Sequence, residues 1–131
     1  MYFVSNALAR KMELLALEAW KPVDLSPSHA YLLMLAIGNP GIQPMALSEE
    51  LKLKPSTITR LIEKLEGKKL VVRTSEGKQT NVYPTPKGKE LMPKLKECVA
   101  VFSENYSNIL GKEESARLVQ NMSRIADKLE S

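Results

Sequence analysis

The sequence predicts a mainly α fold interrupted by one two-stranded β-hairpin. Three features predict it. Apolar residues recur at steps of three or four along most of the chain, the period of helices with one buried stripe. Prolines stand at 27, 44, 55 and 86, each just ahead of such a run, where a helix has no partner for the missing N–H anyway. Between residues 70 and 83 the helical period gives way to two β-prone stretches around a Ser-Glu-Gly-Lys turn. A chain of 131 residues is long enough for one compact core and too short for two independent ones.

The first helix carries Tyr2, Val4, Leu8, Met12, Leu15 and Ala19 along one stripe and ends before the Lys21-Pro22 break. Its opening residues are too apolar to face water, so a partner for them is expected. Ser26 caps a second helix with Pro27 in its first position, and the run 30–37 is apolar on nearly every side, as a central buried helix requires. Gly38, Asn39, Pro40 and Gly41 make a turn, and Pro44 opens a third helix through Leu51, apolar at Leu47 and Leu51. Pro55 opens the fourth, in which Ile58, Leu61, Ile62 and Leu65 fall at i, i+3, i+4 and i+7. At roughly 100° per residue the opposite face carries Ser56, Thr59, Arg60 and Glu63, with Thr57 and Lys64 on its flanks.

Strands are predicted at Leu70 to Thr74 and Thr80 to Tyr83, with 75–78 as the turn. Thr85 and Pro86 then begin a long helix on the line Leu91, Leu95, Cys98, Phe102, Tyr106 and Ile109, kinked near Pro93. A final helix from about Glu113 repeats the pattern with Leu118, Met122, Ile125 and Leu129.

Composition separates function classes. Hydrophobic residues at 44% and charged residues at 26% describe a folded chain, not a disordered one. The apolar opening, Met1 to Ala9, is too short for a membrane span and has no leader features, so the chain reads as cytoplasmic with no membrane partner. One cysteine and one histidine cannot form a disulfide or a structural zinc site, and no cofactor or metal is implied. No phosphate-cradling glycine loop, nucleophile elbow or paired ligand motif points to an enzyme.

The net charge of +4 is unevenly placed: residues 1–51 sum to −2 and residues 79–131 to +1. Residues 52–78 hold Lys52, Lys54, Arg60, Lys64, Lys68, Lys69, Arg73 and Lys78 against Glu63, Glu66 and Glu76, a net of +5. Such a stretch suits phosphate binding, because neutralised phosphates release condensed counterions. It coincides with two short helices joined by a tight turn, the second polar outside, followed by a basic hairpin. That combination is a winged helix-turn-helix, in which a helix enters the major groove and the hairpin reaches flanking phosphates or groove. The predicted contacts to double-stranded DNA are Ser56, Thr57, Thr59, Arg60, Lys64, Arg73 and Lys78. Arg can read guanine and Thr the thymine methyl.

The run Leu53-Lys54-Pro55-Ser56-Thr57-Ile58-Thr59-Arg60-Leu61-Ile62-Glu63-Lys64-Leu65-Glu66 resembles the recognition helix of MarR-type regulators. Leu25-Ser26-Pro27-Ser28-His29-Ala30, Leu70-Val71-Val72-Arg73 and Thr85-Pro86-Lys87-Gly88 agree with that family, so the resemblance covers roughly 25–92. It implies a winged helix-turn-helix core over 25–84, with residues 1–20 and 85–131 forming a helical dimerisation region. It also implies a homodimer on a palindromic operator, often a repressor released from DNA by a small, commonly aromatic or phenolic, ligand. Two positions depart from the pattern. The family's Asp-x-Arg wing motif is here Glu76-Gly77-Lys78, and Lys has no guanidinium fork. The usual capping Ser or Asp before the recognition helix is here Lys54, which offers no acceptor oxygen, leaving that helix start looser or capped by a DNA phosphate.

Simpler roles fit the remaining conspicuous residues. Lys52, Lys68 and Lys69 read as solvated charges. Cys98, between Leu95 and Phe102, reads as a small buried hydrophobe and not a redox sensor. His29 reads as helix-end packing or surface, and Trp20 and the methionines as packing. The competing function is a winged-helix adaptor that binds protein, which predicts a less basic fourth helix.

Overall fold

Ser26 accepts the His29 N–H at 3.4 Å and Thr85 accepts the Gly88 N–H at 3.0 Å, so two helices begin on a side-chain cap. Pro27, Pro44, Pro55 and Pro86 each stand in a first helical turn. The computed structural model describes residues 1–130. Along it run α1 (Tyr2–Trp20), a short 3-10 turn (Lys21–Val23), α2 (Pro27–Gly38), α3 (Pro44–Leu51) and α4 (Pro55–Gly67). Then come β1 (Val71–Glu76), β2 (Gln79–Pro84), α5 (Pro86–Glu90), α6 (Met92–Leu110) and α7 (Lys112–Glu130).

The contacts divide the chain into two units: Trp20–Cys98, and Met1–Ala19 with the chain from Val99 onward. In the first, α2 is central and packs on α3, α4, α5 and β2. Leu32, Leu33, Leu47, Ile58, Ile62, Leu65, Val71, Val82 and Leu95 are fully buried there. Each such side chain contributes about 1.5–3 kcal/mol relative to exposure. Trp20 stacks at a tilt on Tyr31, with ring centroids 5.2 Å apart.

β1 and β2 form an antiparallel ladder from Val71↔Pro84 to Glu76↔Gln79. The strands run further toward the tip than β propensity predicts, because the loop is only Gly77-Lys78. Gly77, at φ +65°, supplies the positive φ a two-residue hairpin needs at its first central position. Ile42 bridges Val82 on the open edge of β2, with 2.9 Å bonds Val82 N–H to Ile42 O and Gly41 N–H to Val82 O. The loop after α2 thus covers that edge.

The single long helix expected from Pro86 is two. Pro93 has no N–H and its ring crowds the carbonyl four residues back, so α5 closes on a tight Leu91 N–H to Gly88 O bond of 3.1 Å. α6 restarts at Met92, and the break is sharper than a kink. At the start of α5, Thr85 donates from its N–H to Leu70 O (3.0 Å) and from its hydroxyl to Lys69 O (2.7 Å). Gly88 lies so close that an added Cβ would sit 2.2 Å from Leu70 O.

In the second unit, α6 ends at Gly111 (φ +88°), the left-handed residue that commonly closes a helix. Tyr2, Phe3 and Val4 on α1 and Met122, Ile125 and Leu129 on α7 are exposed. Among the described residues no helix is long and apolar enough to cross a membrane.

Candidate nucleic-acid interface

The amphipathic pattern of α4 is realised in full. Ile58, Leu61, Ile62 and Leu65 are buried, while Ser56, Thr59, Arg60, Glu63 and Lys64 are exposed and Thr57 is half-buried. Packing of α4 on α2 and α3 fixes which face points outward. Neither Arg60 nor Lys64 forms an ion pair with a described residue, so both cations face solvent uncompensated. The Thr59 hydroxyl donates to Pro55 O at 3.1 Å, which leaves its methyl and lone pairs for a partner. Lys54 stands in extended geometry before α4 with no side-chain cap, so the first N–H groups of that helix have no side-chain acceptor at their start.

The hairpin carries the other two predicted contacts differently. Lys78 is exposed in the two-residue loop at its tip. Arg73 is engaged: its guanidinium lies 2.8 Å from the Glu66 carboxylate. That pair joins the last turn of α4 to β1, so Arg73 braces the hairpin against the helix and shares its charge with Glu66.

Lys68 also departs from the solvated role expected of it. Its ammonium donates to Asp24 O at 3.3 Å and lies 3.9 Å from the Asp24 carboxylate, while Lys87 donates to Lys68 O at 3.1 Å. These lysines satisfy carbonyls left open at the end of α4 and in the linker before α2. Lys52 and Lys69 occupy left-handed positions that end α3 and follow α4, at φ +55° and +61°.

His29 lies closer to this surface than its sequence position suggested. Its ring shares a hydrogen bond with the Ser26 hydroxyl. Burial first, then the positive charges of Lys64 and Lys68, hold its pKa below the usual 6.5. No signal in the sequence marks it, since Lys64 and Lys68 stand 35 or more positions away. A depressed histidine pKa means that the unfolded chain takes up its proton first as pH falls. Stability is therefore expected to be full above about pH 6.5 and to decline below it. Urea midpoints at pH 7.5 and 5.5 measure this; a decline of equal size in His29→Asn would assign the effect elsewhere. Cys98 is buried, and burial, then Glu97, push its thiol pKa up, the opposite of a reactive thiolate. Among the described residues no group of three His, Cys, Asp or Glu side chains could hold a metal ion.

Residues 23–79, which contain α2, α3, α4 and most of the hairpin, match the MarR family model. That segment is similar to the winged helix-turn-helix of MarR-family regulators. The MarR-type fold extends over nearly the whole chain. The repressor CouR of Rhodococcus jostii RHA1, solved on a 23-mer DNA duplex, is 25% identical, with 95% of this chain and 90% of that one covered at a TM-score of 0.81. CouR has also been solved with p-coumaroyl-CoA. The S. aureus MepR–DNA complex shares 16% identity, covering 98% of this chain and 97% of that one at a TM-score of 0.81. A MarR-family regulator from Rhodococcus sp. RHA1 is 22% identical, covering 95% and 90% at 0.80. No curated protein sequence matches the chain.

Proposed function

We propose that this chain is a sequence-specific double-stranded DNA-binding transcriptional regulator, a homodimeric repressor on a palindromic operator. One observation carries this reading. The buried stripe of α4 turns Ser56, Thr59, Arg60 and Lys64 outward, within a segment of net charge +5, and leaves both of those cations without ion-pair partners. A helix of this kind fits the major groove, with Arg60 directed at base edges, Ser56, Thr57 and Thr59 beside it, and Lys64 at phosphate. Lys78 at the wing tip adds a point-charge contact to the backbone, less specific than an arginine fork. Arg73 contributes by holding the wing. CouR and MepR, each solved on DNA, support the reading.

Residues 25–84 would form the DNA-reading core, and residues 1–20 and 85–131 the dimerisation region. The exposed Tyr2, Phe3 and Val4 of α1 and Met122 and Ile125 of α7 support that division, since so small a protein rarely leaves such surfaces in water. The regulator would act in the cytoplasm, where its DNA is. Release by a small aromatic or phenolic ligand is the accompanying proposal, supported by the p-coumaroyl-CoA complex of CouR.

Selection from a random duplex library at near-physiological salt tests the function. The expected product is a palindromic motif with half-sites about one helical turn apart. If folded protein recovers no motif, the outward face of α4 is an adaptor surface for protein instead.

A further inference from the structure

The outward face of α4 carries an acid that phosphate binding does not explain. The buried side chains of Ile58, Leu61, Ile62 and Leu65 fix the inward direction of the helix. At roughly 100° per residue, Ser56 lies almost opposite that direction, and Arg60 and Glu63 stand about 30° to either side of the outward midline. Glu63 is therefore as central to this face as Arg60. It is exposed, and its carboxylate forms no ion pair with a described residue, although Arg60 is one turn back and Lys64 is adjacent. Glu66, on the next turn, is by contrast paired with Arg73 at 2.8 Å. The Thr59 hydroxyl donates to Pro55 O and leaves Glu63 without an internal donor there.

A carboxylate in this place works against general affinity for DNA, because it repels the phosphates on both walls of the groove. It gains only where it meets a donor. Base edges in the major groove present two donors, the N4 amino group of cytosine and the N6 amino group of adenine. Adenine sets its N7 acceptor beside N6, so a carboxylate approaching it meets a second lone pair. Cytosine has no acceptor on its own edge of that groove. A glutamate in the middle of a recognition face therefore suits cytosine.

We propose that Glu63 is a specificity-determining residue whose carboxylate accepts the N4–H of a cytosine, one base step from the guanine read by Arg60. At a rise of about 1.5 Å per residue the two residues are about 4.5 Å apart along the helix axis, close to the roughly 3.4 Å between successive base pairs. Each half-site accordingly holds two consecutive G·C pairs, one read by an arginine fork and the other by a carboxylate. This assignment rests on the DNA-binding reading above and adds to it the identity of two base pairs.

The test is the random-duplex selection carried out on the full chain, wild type beside Glu63→Gln and Glu90→Gln, the last removing an equal charge from an exposed position on α5. Glu63→Gln should convert one G·C pair of each half-site to A·T, with adenine in the place of cytosine, beside a G·C pair that stays. A glutamine amide pairs with N6 and N7 of adenine together, so the preference between the two bases should reverse by roughly tenfold or more per half-site. Glu90→Gln should recover the wild-type motif. A motif unchanged in Glu63→Gln, with tighter binding to every sequence, would make the carboxylate a solvated charge and overturn the assignment. The same shift in Glu90→Gln would overturn it as well. A wild-type protein that recovers no motif sinks the regulator reading and this assignment with it, whereas a motif insensitive to Glu63 sinks the assignment alone.

Discussion

Gly88→Ala is expected to destabilise the Trp20–Cys98 unit by about 3 kcal/mol, lowering Tm by roughly 15 °C. The new Cβ would lie 2.2 Å from Leu70 O, far inside any contact distance, and 3.2 Å from Leu33 Cδ1. The leucine methyl can yield; the Leu70 carbonyl cannot, because it accepts the Thr85 N–H that sets the start of α5. Relief therefore requires α5 to move away from β1 and α2, opening the core around Leu33. Gly38→Ala is the matched control. Nothing lies within 4 Å of its added Cβ, so it should be neutral or gain up to about 1 kcal/mol. Urea unfolding of the two variants decides the matter, and equal midpoints would show that α5 is free to shift.

Arg60→Ala should abolish sequence-specific DNA binding while leaving the fold intact. Arg60 is exposed and has no internal ion pair, so the free protein loses little. A bidentate arginine–guanine contact is worth about 1–3 kcal/mol, and the proposed dimer would make it twice. The expected loss is therefore about 2–6 kcal/mol, from roughly thirtyfold upward in affinity. Lys96→Ala, an exposed lysine on α6 outside the basic segment, should change affinity less than about threefold. Equal losses in the two variants, measured by fluorescence anisotropy on the selected operator, would mean that general charge and not α4 carries binding.

The features legible in the sequence are those that local chemistry decides. Ser26 and the prolines mark helix starts because capping acts within three residues. The stripe from Ile58 to Leu65 was readable because a single face is buried, so the apolar period is clean. The outward set Ser56, Thr59, Arg60 and Lys64 followed from the same geometry. The break at Leu91 was blurred because the apolar line Leu91, Leu95, Cys98 continues through it, and Pro93 reads equally as a kink or a stop. Strand propensity alone ends the strands early, because Glu76 and Gln79 are poor strand formers, yet the two-residue loop forces them to pair. Contacts between distant segments left no trace. Arg73 meets Glu66 only once the wing folds against α4, Lys68 reaches back to Asp24, and Gly88 is constrained only by the carbonyl of Leu70.

The bare start of α4 leaves its first N–H groups open to an incoming acceptor. The Ser26 and Thr85 hydroxyls occupy N–H groups of α2 and α5, so any ligand approaching those helix ends must first compete with an internal acceptor. At Lys54 there is no such competitor. An oxygen arriving at the N-terminus of α4 displaces only solvent and finds the positive end of the helix dipole beside an ammonium. The chain gives up a little solitary helix stability, and a partner bound there would not first have to break an internal bond.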